Sequence, residues 1–217
     1  GPFIMLISIL NTSVKHPINE HLSRWICQNS SDHSISLCRS KAELVGGDLL
    51  FLVSCSEILG MNETSKFKKS LVIHASDLPV GRGWSPYVWE ILNGSSSITV
   101  SLIEVAEKVD TGDIWGKVSI GIPKEALFDE INQLLFDAEI ELMDYAVANF
   151  ETVTPMAQAK MKSSYWPKRV PNDSEIDIKK SFEQQFDLIR VCDFDRYPAF
   201  FYINGKKFKL KLEKMDE

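Results

Sequence analysis

A chain of 217 residues with 44% hydrophobic and 25% charged side chains holds the apolar material for one buried core and a small appendage. Its net charge of −6 argues against nucleic acid as the main partner, because gripping a phosphate backbone needs clustered Lys and Arg. No apolar run approaches the roughly 18 residues that span a bilayer, and Phe3 to Leu10 is too short, and lacks the basic lead, to read as a secretory signal.

Cys27, Cys38, Cys55 and Cys192 are scattered, without C-x-x-C or zinc-ligand spacing. Reduced thiols in a cytoplasmic protein, and no metal site, are the expectation.

In chain order, Phe3 to Leu10 is a near-continuous apolar run, the pattern of a central parallel strand buried on both faces. Pro17 suits a first helical turn, and Ile18, Leu22, Trp25 and Ile26 then recur at helical spacing. Ser34 to Cys38 alternates as a short strand, and Gly46-Gly47 breaks the chain before a buried strand over Asp48 to Ser54. Leu71 to His74 predicts a third buried strand after a lysine-rich turn. Ser85 is placed to cap a helix that begins at Pro86 and stops at Asn93-Gly94.

Further strands are predicted over Ile98 to Val105 and Ile114 to Ile122. Pro123 is predicted to start the longest helix, with Leu127, Ile131, Leu134, Leu135, Ala138, Leu142, Ala146 and Phe150 on one face. Strands alternating with helices predict a Rossmann-like α/β domain over 1–163, its largely parallel sheet flanked by helices. After Ser163 the texture changes. Tyr165 to Asp173 reads as a proline-punctuated linker, Ile176 to Arg190 as a short helix, and Tyr197 to Leu212 as a hairpin turning at Asn204-Gly205, together an extension over 164–217.

Two segments carry chemistry. His74 closes an apolar strand and is followed by Ala75-Ser76-Asp77-Leu78-Pro79-Val80-Gly81-Arg82-Gly83-Trp84-Ser85-Pro86, a Gly/Pro-rich loop. Val109-Asp110-Thr111-Gly112-Asp113 sets an acidic pair around a glycine turn. A histidine and a carboxylate at the carboxyl end of one sheet are what general acid–base chemistry needs. Taken alone, His74 is better explained as a core histidine satisfied by backbone, and Asp110 or Asp113 as a turn former. Gly81-Arg82-Gly83 lacks the spacing of a phosphate-binding glycine loop.

Together these segments resemble the signature of the folate-dependent formyltransferases, roughly His-Pro-Ser-Leu-Leu-Pro, then Arg-Gly, then Asp-x-Gly. The likeness covers nearly the whole chain and is strongest from Leu71 to Lys117. The tail, from Arg169-Val170-Pro171-Asn172-Asp173 through Ile189-Arg190 to Pro198-Ala199-Phe200-Phe201, resembles the ending of sugar N-formyltransferases. Lys15-His16-Pro17-Ile18-Asn19 and the Gly-Trp-Ser-Pro loop resemble a compact subgroup acting on amino-sugar precursors of nonulosonic acids such as pseudaminic acid.

The resemblance implies formyl transfer from 10-formyltetrahydrofolate to the primary amine of a nucleotide-linked amino sugar. It implies His74 and Asp110 as the acid–base pair: the imidazole takes the amine proton or, once protonated, donates to the oxyanion, and the carboxylate orients the ring. It implies a folate pocket along Cys55, Ser56, Glu57, Ile58 and Leu59 on one loop and Val109, Asp110 and Thr111 on another. It also implies an acceptor site at Ser76, Arg82, Gly83, Trp84 and Ser85. Trp84 would stack on a sugar or base, and Lys168 and Arg169 would donate to a diphosphate. Each of these residues also has a plainer reading as turn, packing or solvated charge.

One position departs from the pattern. The family's usual Asn-x-His has Val72 in place of the asparagine. Losing one oxyanion donor costs roughly 3–4 kcal/mol of transition-state stabilisation, so Ser76, Ser70 or a backbone N–H is expected to replace it. The rival readings are a methionyl-tRNA or glycinamide-ribonucleotide formyltransferase, and a non-catalytic folate- or nucleotide-sugar-binding domain. A tail with eleven Lys and Arg against ten Asp and Glu disfavours RNA. Phe200, Phe201, Tyr202 and Phe208 in the predicted hairpin offer a surface for a homodimer.

Overall fold

The protein is described by a computed structural model covering residues 3–216. The chain runs β1 (Leu6–Leu10), α1 (Ile18–Asn29), β2 (Ser34–Cys38), β3 (Gly47–Leu52), α2 (Met61–Thr64), β4 (Phe67–His74), the two-residue β5 (Arg82–Gly83) and α3 (Pro86–Leu92). It continues with β6 (Ser97–Glu104), β7 (Ile114–Gly121) and α4 (Phe128–Ala148). A two-residue β8 (Tyr165–Trp166), α5 (Phe182–Arg190), β9 (Ala199–Ile203) and β10 (Lys206–Leu210) complete it.

Six strands form one sheet in the order β2-β1-β3-β4-β6-β7. The first four are parallel, and β6 and β7 run antiparallel to their neighbours. This is the largely parallel, helix-flanked α/β sheet that the strand–helix alternation predicts. The central strands β1 and β3 are buried along nearly their whole length because both faces are covered. Ile7, Ile9, Leu49, Phe51, Leu71 and Ile73 pack with residues of α1, α3 and α4, while Leu10, Leu50 and Leu52 meet Leu44, Leu59 and Phe67 on the other side. Each such buried side chain contributes about 1.5–3 kcal/mol.

Several predicted boundaries move. β4 begins at Phe67, so the expected lysine-rich turn is strand, with Lys68 and Lys69 reaching sideways to Asp48 and Glu104. α4 begins at Phe128 rather than Pro123, because residues 123–126 form a turn whose Pro123 and Ala126 carbonyls accept from the buried Arg190 guanidinium. Ser85 does not cap α3 with its side chain; its φ of 44° holds it in the left-handed region.

Of the helix expected over Ile176 to Arg190, only Phe182–Arg190 forms. Ser181 and Gln184 exchange hydrogen bonds at its start, while Ile176 donates instead to Phe200 O. The expected linker is not free either, since β8 lies parallel to β5. Asn204 and Gly205 turn the β9–β10 hairpin with φ of 51° and 74°, a two-residue left-handed turn. Phe200 is buried with Tyr202 edge-on to its ring, Phe201 stacks on Phe208, and Tyr202 and Phe208 stay half-exposed. Among the described residues no helix is long and apolar enough to cross a membrane.

The core side of α4 carries a polar liability. Burial pushes the Glu139 carboxyl up to about 8, and Asn132 Oδ1 is buried without a partner. Between its ordinary value and about 8 the folded chain holds a proton the unfolded chain has lost, so this group's stabilisation is complete at low pH and lost as pH rises through 8. Glu139→Gln keeps the volume and removes the titration. Thermal melts of this variant should show a gain of about 1–3 kcal/mol over wild type at pH 8 and little gain at pH 5. An equal gain at both would contradict the assignment.

Candidate active site

β4 ends at the carboxyl edge of the sheet and delivers His74 there, 8% exposed. Strand alternation puts Val72 on the same side as His74 and turns Leu71 and Ile73 into the opposite core. Val72, like Cys55 and Val105, packs against the cluster that holds Leu10, Leu50 and Leu52.

His74 Nε2 lies 2.9 Å from Gly81 O, and because a carbonyl only accepts, Nε2 carries the proton. Nδ1 lies 3.6 Å from Asp110 Oδ1, both side chains being buried. That spacing is longer than a hydrogen bond, and catalytic contacts of this kind commonly tighten when substrate binds.

Asp110 reaches His74 through a strained turn. Its φ is 62°, a region that non-glycine residues seldom adopt. Three groups hold it: Gly83 N donates to Oδ2 at 3.0 Å, and Arg82 Nε and Gln158 Nε2 both donate to its carbonyl, at 3.1 and 2.8 Å. Gly112 lets the turn close against β6, since a Cβ there would overlap the Glu104 carbonyl. The two segments therefore grip one another through backbone and carboxylate.

A strap after α4 fastens both segments. Met156 exchanges backbone bonds with Ile114, and Gln158 Nε2 donates also to Gly112 O at 2.9 Å while its Oε1 accepts from Arg82 at 2.8 Å. Ser164 Oγ accepts from Gly81 N at 2.9 Å, and its carbonyl accepts from Arg82 N. Sequence reasoning missed both residues. They sit in a stretch with neither helical nor strand periodicity, where a lone Gln or Ser carries no signal. Glu90 was missed too: it lies near Gly81, and burial, then the neighbouring Asp77, push its carboxyl up to about 7.

Other predicted residues fall as follows. Ser76 is fully buried with its Oγ unpartnered, and Ser70 Oγ is unpartnered as well. Arg82, expected to face an acceptor, has its Nε on Asp110 and a terminal nitrogen on Gln158. Gly83 lies against β8, where a Cβ would overlap Trp166 O. Trp84 is 47% exposed with Lys168 Nζ 5.0 Å from its ring centre, and Ser85 is exposed beside it. Arg169 sits over Trp89, which stacks on Trp166 at 5.6 Å.

On the expected folate loops, Ser56 is tied to Thr12 after β1, Cys55 Sγ faces Glu57 O, and Leu59 is buried. Ile58 is 71% and Val109 52% exposed, and Thr111 Oγ1 donates to Lys108 O. Among the described residues no group of three or more His, Cys, Asp or Glu is arranged to hold a metal ion.

A buried His–Asp pair at the carboxyl edge of an open α/β sheet, the histidine from a strand end and the carboxylate from a loop, is an arrangement with acid–base capability where such sheets hold ligands. A family profile described as "Formyl transferase" matches residues 14–147, and the chain belongs to that family. It is similar to a methionyl-tRNA formyltransferase of Sulfurovum sp., 36% identical over 137 residues, 63% of this chain and 44% of that protein.

The chain spans about half the length of the curated relatives it matches. In structure it resembles a methionyl-tRNA formyltransferase from Clostridium thermocellum, with a TM-score of 0.82 and 24% identity over 98% of this chain and 94% of that one. It also resembles an N-formyltransferase from Helicobacter canadensis crystallised with folinic acid and dTDP-3-aminofucose, with a TM-score of 0.71 and 16% identity over 94% and 85%. At such identities these two likenesses speak for the fold.

Proposed function

We propose that the protein transfers a formyl group from 10-formyltetrahydrofolate to the primary amine of a nucleotide-linked amino sugar. The observation that carries this reading is the buried His74–Asp110 contact at the carboxyl edge of a formyl transferase fold.

The carrier supplies an activated formyl carbon. Ile58 and Val109 offer exposed apolar edges on two loops beside Cys55 and Thr111, surroundings that suit a flat heteroaromatic ring. With Nε2 donating to Gly81 O, His74 takes the proton of the attacking amine on Nδ1, and the Asp110 carboxylate 3.6 Å away stabilises the imidazolium that forms. Val72 donates nothing, so the two buried unpartnered hydroxyls, Ser76 and Ser70, are the side chains proposed to replace the family's amide. Exposed Trp84 with Lys168 gives an aromatic face and a cation for a base and its phosphates. In this reading the protein works in the cytoplasm.

The runner-up acceptor is methionyl-tRNA, favoured by the name of the Sulfurovum relative. Incubation with 10-formyltetrahydrofolate and a panel of nucleotide-linked amino sugars, with methionyl-tRNA in parallel, separates the two by mass. The expected result is a 28 Da gain, which is CO, on a sugar; a gain on methionyl-tRNA alone would replace this reading with the runner-up.

A further inference from the structure

Gln158 uses its whole amide at the junction of the two catalytic segments. Nε2 bridges the Asp110 and Gly112 carbonyls at 2.8 and 2.9 Å, and Oε1 accepts from Arg82 at 2.8 Å. Arg82 in turn donates to the same Asp110 carbonyl, closing a ring of hydrogen bonds around a residue whose φ is 62°. Left-handed backbone at a non-glycine residue persists only where surrounding contacts over-determine it. Here those contacts converge on the residue whose carboxylate faces His74, and only a side chain with two amide hydrogens and a carbonyl supplies all three of Gln158's bonds.

We infer that Gln158 is a positioning residue: it sets the turn that aims the Asp110 carboxylate at His74. The kinetic part of this inference rests on the formyl-transfer reading; the geometric part does not. The side chain is half-buried and outside the core clusters, so its replacement leaves the fold standing. Gln158→Ala removes all three bonds. Gln158→Glu keeps the acceptor for Arg82 but turns a second oxygen toward two carbonyl oxygens. If the Asp110 turn is what matters, the two variants fail alike.

Amide hydrogen exchange of Gly83, whose N–H donates to Asp110 Oδ2, reads the position of the carboxylate without any substrate. It should quicken about tenfold in both variants while Leu50 and Phe51 in the sheet stay protected. The turnover number should fall about 10–100-fold in the wild-type background, with KM little changed. The same substitutions made in Asp110→Asn should cost almost nothing further, because the group being aimed is already disabled.

Unchanged Gly83 exchange overturns the inference. So does a Glu variant that behaves like wild type, which would put the role at Arg82, or equal losses in both backgrounds, which would make it merely structural. A wild-type protein that transfers no formyl group would sink the proposed function alone, and Gly83 exchange would still decide the role of Gln158.

Discussion

His74→Ala is expected to lower kcat for formyl transfer by about 10³-fold, with folate binding retained. The magnitude follows from removing a positioned acid–base group, which is worth 10²–10⁴-fold. Binding survives because the proposed folate contacts lie on residues other than His74, along Cys55–Leu59 and Val109–Thr111. Asp110→Asn is the matched control. Asparagine tolerates φ of 62° and still accepts from Gly83 N, so the turn stands while the charge facing His74 goes. A loss of about 10²-fold is expected there. Initial rates and a folate titration on the same preparations check both; full turnover in His74→Ala would remove the acid–base assignment.

The second large effect is structural. A Cβ at Gly112 would overlap the Glu104 carbonyl, which is backbone in β6 and cannot swing aside. Gly112→Ala must therefore open the turn that carries Asp110, at a cost of at least ~3 kcal/mol. For a chain of this size that is roughly 6–12 °C in Tm. Gly121→Ala, on the far end of β7 where a Cβ meets nothing within 4 Å, should change stability by less than about 0.5 kcal/mol. Thermal melts of the pair read the difference directly, and equal melting points would show that the turn yields without cost.

Much of the frame was legible because burial and periodicity speak plainly. A strand covered on both faces, such as β3, is marked by four apolar residues in succession, Leu49, Leu50, Phe51 and Leu52. The boundaries that moved lie where local pattern and tertiary contact compete. Pro123 looks like a helix start, but the buried Arg190 claims the carbonyls there, and helix waits until Phe128. Lys68 and Lys69 look like a turn because their chains are charged, yet their backbones extend β4 and pair with β3.

At the candidate site, the segments of His74 and Asp110 were visible as motifs, and the structure brings the two side chains to 3.6 Å. What holds them there was not visible. Gln158 and Ser164 act on residues far behind them in sequence, through side chains whose types occur throughout any loop. Trp84, Lys168, Trp89 and Arg169 cluster for a reason the sequence concealed, namely that β8 returns to lie along β5.

The central claim is that a formyl group moves from a folate carrier to an amine through His74 and Asp110. The most direct test supplies 10-formyltetrahydrofolate carrying ¹³C in the formyl group, together with the amino-sugar panel, and follows the label by NMR. The predicted result is labelled formamide in wild type and almost none in His74→Ala or Asp110→Asn over the same interval. Intact folate binding with no labelled formamide on any amine, methionyl-tRNA included, would contradict the account and leave a binding protein in its place.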